Sequence, residues 1–549
     1  MATYRNPIQR AGDFADPFVL RHDGRYYLYC TNPDVRCWSS SDLVDWQLEG
    51  PTIEPDAFPG LVPFAPEVVY ADGSFYMYTS PSGHGHFVLR SDAPTGPFRP
   101  ISGNVGHAID GNVFIDDDGR WYFYWAGDEG IWGCEMSSPT EFGEPVLTGV
   151  HMNGWTEGPF VSKRDGVYFM TLTGNHYLSS GYRIDAASSD HPLHGYVPDP
   201  LNPILIGADG PAVGLGHSSS AWGPDLVTTW MIYHNINPDA SRDLDIDRQV
   251  WDGRSVRVLG PSTSAPAPAA PDVEGTDALM TAEVFTAELN LTATGPGDHG
   301  LSLGDALRIT LPPGFAHDAL HCWRVVYDRG DLRIFIDGRL QLAVDVDIPA
   351  GTRIAVFGDV RVGYCALTRS TPAIADRDAP RPLALAADGR EATVTDESLS
   401  GAGKRLLGPQ RWDGITLTAT VSFTLGTPDA HADLLLRASQ LSEGGEGADA
   451  VLGINFLIGY SVQMHADRVV FARHAYDERV LAERELLLDQ ARPHVLKVRA
   501  HGGSFTVDVD GEEVLDADDA LPHPVGRIGI RTVDAHLQVE TLQVGRPTP

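Results

Sequence analysis

The 549-residue chain has no apolar run approaching the roughly 20 residues a membrane-spanning helix needs, so it does not predict a membrane partner. It is also poor in cysteine. Five residues (Cys30, Cys37, Cys134, Cys322 and Cys365), odd in number and without metal-ligand spacing, argue against a disulfide framework and fit a reducing compartment. The opening MATYRNPIQRAGDF lacks the apolar stretch of a secretion signal. A cytoplasmic location is therefore expected, or a secreted one if a signal has been removed. Basic charge is scarce: 40 Lys and Arg stand against 74 Asp and Glu, a formal net charge of -34. Nucleic acid and acidic polysaccharides would be repelled, whereas a neutral oligosaccharide or polysaccharide would not. Most of these acids read as a solubilising surface.

What the chain does have is a repeat. FADPFVLRHDGRYYLY, FAPEVVYADGSFYMY, AIDGNVFIDDDGRWYFY, TEGPFVSKRDGVYFM and GHSSSAWGPDLVTTWMIY each place a polar residue before a strand, a turn and an aromatic strand. The leading residues Asp16, Glu67, Asp110, Glu157 and His217 are 51, 43, 47 and 60 positions apart. An all-strand unit with a period near fifty predicts a five-bladed β-propeller. If each leading residue opens the innermost strand of its blade, all five converge on one mouth of the central channel. The Asp-Gly pairs at 23–24, 72–73, 118–119 and 165–166 suit tight hairpins, and the aromatics beyond them read as core between blades.

The segment PSTSAPAPAAPDVEG then reads as a stiff Pro/Ala spacer. Beyond it WRVVYDRGDLRIFIDGRLQLAV (323–344) aligns with LKVRAHGGSFTVDVDGEEVLDA (496–517) at a constant offset of 173. Each copy is strand, turn, strand with an Asp-Gly hairpin, and resembles the closing strands of laminin-G-like, concanavalin-type β-sandwiches. The fold expected is all-β, a propeller followed by two sandwiches. Its divisions are 1–262 (propeller), 263–275 (linker), 276–372 (small sandwich) and 383–549 (laminin-G-like sandwich). Trp323 and Trp412 are isolated and no aromatic ridge is apparent, so these sandwiches are read either as packing partners or as sugar-binding modules. No acid-pair motif occurs in them.

The first 260 residues resemble glycoside hydrolase family 43. ADPFV at Asp16, AIDGNVF at Asp110 and TEGPFV at Glu157 stand in the family's order and at blade spacing; GLGHSS at His217 and RDLDIDR at Arg242 and Arg248 resemble its later motifs. Glycoside hydrolysis needs one carboxylic acid to protonate the leaving oxygen and one carboxylate to activate water or attack carbon. A third acid can hold a proton in place by repulsion. The resemblance implies Asp16 as general base, Glu157 as general acid and Asp110 as the residue that orients Glu157 and adjusts its pKa. It also implies inversion of configuration.

Around these acids, Glu67 is expected to line the channel or touch a sugar hydroxyl. His217 either hydrogen-bonds the carboxylates or, through water, helps hold a structural calcium in the channel; no cofactor is required by the chemistry. Arg242 could donate to sugar hydroxyls or to Asp110, and Arg248 likewise, or both could pair with neighbouring aspartates. Trp38, Phe64 and Trp155 are candidate walls of a sugar pocket. His84 and His86 read as a loop feature. The function expected is an exo-acting hydrolase of terminal pentosyl residues on plant-type glycans, an α-L-arabinofuranosidase before a β-xylosidase. Exo-β-1,3-galactanase or anhydrogalactosidase-like activity follows. A non-catalytic carbohydrate-binding protein and a protein-interaction propeller are the readings from other classes, and three retained acids disfavour both.

Overall fold

The computed structural model describes residues 2–547 except 11–13, 55–56, 153–154, 208–211, 276–278, 306, 373–386, 440–456 and 476. The expected domain starts at 276 and 383 lie outside the described residues. Five antiparallel sheets come first, with inner strands Ala15–His22, Pro63–Ala71, Ile109–Ile115, Thr156–Arg164 and Gly216–Trp222. Tight turns become available where consecutive residues tolerate left-handed backbone: φ is 47° and 74° at Asp23 and Gly24, and 49° and 82° at Asp165 and Gly166. The first hairpin of the fifth blade has no Asp-Gly pair. There the Asp225 carboxylate accepts the Val227 and Thr228 amides at 3.1 and 3.0 Å and closes the turn.

Each junction between blades has its own apolar core. Tyr29, Val68 and Met77 join the first two blades. Tyr78, Phe123 and Trp125 join the next pair, and Tyr124, Val161 and Met170 the third. Phe169, Ile184 and Tyr233 follow, and Leu28, Trp230 and Ile232 close the ring between blades five and one. Each fully buried side chain of this size contributes about 1.5–3 kcal/mol. The ring is also strapped: the Ile8 amide donates to Leu244 at 2.8 Å, and Thr3–Tyr4 pairs with Ala265–Pro266. The Pro/Ala segment expected to be a spacer is thus tied down at both ends, because Val273–Glu274 also joins the next sheet.

The small sandwich packs a six-stranded sheet on a three-stranded one around Trp323, Phe285 and Ile334. It seals the channel end where the blade hairpins turn, and touches all five blades. Tyr364 donates its amide to Asp23 at 2.8 Å, Tyr70 its hydroxyl to Leu320 O at 2.8 Å, and Leu340 its amide to Asp117 O at 2.9 Å. Arg333 faces Asp165, and Arg324 donates to Leu226 O. Partly buried Arg21 pairs with buried Glu288 across the same junction. A cavity of about 750 Å³ remains there, lined by Arg164, Trp222, Arg324 and Phe335, at the end of the channel away from the acids.

The C-terminal domain is one ten-stranded sheet folded over a single core, with the 20-residue strand Gly526–Gly545 pairing with three neighbours. Its terminal strands are joined by Arg484, which pairs with Glu512 at 2.9 Å. The two aligned copies repeat the same hydrogen bonds at their hairpins. The Cys322 amide donates to Asp337 at 2.8 Å and the Val495 amide to Asp510 at 2.9 Å. His321 and His494 bridge the same carboxylates to Ala316 O and Asp489 O.

Candidate active site

All five inner strands open with a break in the ladder. The register shifts between Ala15 and Phe18, Phe64 and Glu67, Ile109 and Asn112, Glu157 and Phe160, and Gly216 and Ser219. Such bulges re-aim side chains next to active sites. In each, one residue adopts positive φ: Asp16 (54°), Ala65 (43°), Asp110 (59°), Gly158 (55°) and His217 (42°). For a non-glycine residue this conformation costs about 1–2 kcal/mol. The equivalence expected from sequence is therefore corrected by a residue or two. Asp16, Asp110 and His217 share one position, Glu157 precedes it, and Glu67 lies two residues beyond it.

The bulges bring the three acids and His217 together. His217 Nδ1 is 3.3 Å from Asp16 Oδ1 and 3.8 Å from Asp110 Oδ2. Asp110 accepts the Gly158 amide at 3.0 Å, which ties it to the residue after Glu157. Thr31 donates its hydroxyl to Asp16 at 2.6 Å. The Asp16 amide donates to His234 Nδ1 at 3.2 Å, which leaves any ring proton of a neutral His234 on Nε2. Glu157 accepts from the Tyr182 hydroxyl and from Trp155 Nε1. Tyr182 stacks on His234 with ring centres 5.8 Å apart. Gly216 makes that possible, since a Cβ there would meet the Tyr182 ring at 2.1 Å.

These surroundings drive the carboxyls apart in charge. Burial, then the repulsion of Asp110, pushes Glu157 up to about 8. Burial and the charge of Asp16 push Asp110 up to about 8 as well. Burial would also raise Asp16, but His217, His234, Arg242 and the Thr31 hydroxyl outweigh it and hold Asp16 below the usual carboxylate range. Burial, then the Arg242 charge, pushes His234 well below its ordinary value. A low-pKa and a high-pKa carboxyl at one mouth can act as base and acid at the same pH.

Several expected site residues lie elsewhere. Trp38 is only 8% exposed and packs on Phe14 in the core between blades one and five, so it is no pocket wall. Glu67 sits below the mouth, hydrogen-bonded to Asn112 at 2.8 Å, in the channel layer that Phe18 and Phe160 also fill. It supports the floor rather than meeting a sugar. Arg248 is six residues, about 20 Å of strand, from Arg242 and lines a crevice with Arg164 and Thr371 towards the sealed end. Phe64 adjoins the bulge of blade two and remains partly exposed. Trp155 is exposed at the mouth, and Arg242 lies over Tyr177. Of the loop pair, His84 is exposed, whereas His86 is buried against the His107 carbonyl at 2.6 Å.

Thr31, Tyr182 and His234 are site residues the sequence reading missed; Gly216 in GLGHSS was the one signal of a ring pressed against the mouth. Among the described residues no group of three or more His, Cys, Asp or Glu side chains could hold a metal. Calcium takes six to eight oxygen ligands. The donor set at His217 does not fit that requirement.

Two acids whose surroundings push their pKa values in opposite directions, carried on ladder breaks at one end of a five-bladed propeller, form a centre suited to acid–base chemistry. The chain belongs to glycosyl hydrolases family 43, whose model matches residues 4–254. It is 28% identical over 257 residues to a xylosidase/arabinosidase of Butyrivibrio fibrisolvens, covering 40% of this chain and 48% of that protein. It is 26% identical over 276 residues to the beta-D-galactofuranosidase xynD of Aspergillus niger, covering 43% of this chain and 78% of that one. A crystal structure of a thermostable family-43 glycoside hydrolase matches with 31% identity and a TM-score of 0.45, over 49% of this chain and 99% of that chain. The chain thus spans about half the length of the first of these relatives.

Proposed function

We propose that this protein is an inverting exo-glycosidase that removes terminal pentosyl residues from a neutral plant-type glycan. The observation that carries the reading is the convergence of Asp16, Asp110 and Glu157 about His217 at one mouth, where neighbouring positive groups lower the Asp16 pKa and burial raises that of Glu157. In this scheme Asp16 draws a proton from water as it attacks the anomeric carbon. Glu157, whose proton is held chiefly by burial, gives it to the leaving oxygen, and Asp110 adjusts that pKa and fixes the backbone at Gly158. Arg242 and Phe64 face the sugar, and His217 spaces Asp16 from Asp110.

Among pentoses, α-L-arabinofuranose is preferred and β-D-xylose is the second reading, because a relative named for both activities shares the catalytic region. A galactofuranosidase relative keeps a furanoside-directed site in view. The five free thiols, four of them buried, suit a cytoplasmic setting. A panel of nitrophenyl glycosides tests the sugar. Proton NMR of the fresh product tests the stereochemistry: the inverted anomer is expected, and a retained anomer would refute the water-attack scheme.

A further inference from the structure

The hydrolytic scheme uses only one edge of an aromatic arc at the mouth. Trp155 and Tyr177 are 43% and 39% exposed, whereas most other large aromatics of the propeller are buried. They are arranged in sequence. Trp155 meets His176 edge-on at 5.5 Å, His176 stacks on Tyr177 at 4.6 Å, and the Arg242 guanidinium lies 5.4 Å from the Tyr177 ring centre. One end of the arc is fastened to the acid, because the Trp155 indole N–H donates to Glu157. The other end is Arg242, whose charge helps to hold Asp16 ionised.

A cleaved glycosidic bond has two sides, and the acid must reach the oxygen that departs. The leaving residue therefore lies on the Glu157 side, where these open ring faces are. Exposed aromatics with one apolar face and one polar handle are suited to a ligand that is itself apolar on one face and wet on its edge. We propose that Trp155, His176 and Tyr177 form the platform for the leaving side of the substrate and take a sugar ring there. Trp155 is then the positioning residue through which an occupied platform orients the acid. This inference rests on the glycosidase reading above and narrows the substrate to a glycan with at least one ring beyond the scissile bond.

The test compares, on the full chain, two substrates of the same pentose: its glycosyl fluoride, which has no leaving ring, and an oligosaccharide. For Tyr177→Ala the ratio of kcat/KM on oligosaccharide to that on fluoride should fall at least tenfold, mainly through KM, and Tyr177→Trp should restore it. Trp155→Phe keeps a ring but loses the N–H that lowers the acid's pKa. Its alkaline limb on the oligosaccharide should move upward and kcat should drop more than KM rises. An unchanged substrate ratio in Tyr177→Ala, or an unmoved alkaline limb in Trp155→Phe, overturns the platform. Wild-type protein inert on both substrates would instead remove the glycosidase reading itself, and the platform with it.

Discussion

The two ends of the propeller are made from the same five inner strands, and they differ in how those strands finish. At the hairpin end the ladders run regularly into turns, and charges meet partners: Lys163 with Asp117, Arg333 with Asp165, Arg21 with Glu288. That end is covered by the small sandwich. At the other end every ladder breaks, five residues take left-handed backbone, and carboxyls sit far from their ordinary protonation. At the mouth the left-handed residues include the acids themselves, as expected where preorganised chemistry is carried. The regular end supplies the stability against which that strain is held.

The largest effects should come from breaking the mouth. Asp16→Asn and Glu157→Gln should each lower kcat by about a thousandfold, within the 10²–10⁴ typical of a lost acid or base. Steady-state kinetics check this, and Glu157→Gln should lose least on substrates with good leaving groups. At the sealed end, Glu288→Gln leaves the partly buried Arg21 charge without its carboxylate and should cost up to about 3 kcal/mol of stability in denaturant titrations. Its folded fraction should keep its catalytic constants; a variant that stays stable but loses kcat would show that the two ends are not separable. Tyr182→Phe sharpens the contrast more gently. It removes a donor that lowers the Glu157 pKa, so the alkaline limb should move up, with about 1–2 kcal/mol of lost orientation. The smallest effect expected is at the matched hairpins. Asp337→Ala and Asp510→Ala should each cost about 1 kcal/mol by thermal unfolding, with no change in pH profile.

The blade repeat, the Asp-Gly turns and the three acids were legible because strand alternation and turn chemistry are local. The bulges were not. An inserted residue leaves no mark on a two-residue period, so Glu67 read as a member of the acid ring although it falls one layer lower. Tyr182 and His234 reach Glu157 and Asp16 from 25 and 218 positions away, and no spacing rule joins them. Trp38 looked like a wall because composition cannot distinguish a ring between blades from one at the mouth. The Pro/Ala segment read as a spacer because its strand pairs are only two residues long.

In the proposed reaction Asp16 is ionised while Glu157 is protonated over the same pH range. The pH dependence of kcat/KM reports the free protein's acid and base directly. Because the Asp16 pKa is lowered, the acidic limb should fall below the usual carboxylate range. Because the Glu157 pKa is raised, activity should persist through neutrality and decline only as pH passes about 8. An alkaline limb at ordinary carboxylate values, or one that Glu157→Gln leaves in place, would contradict it.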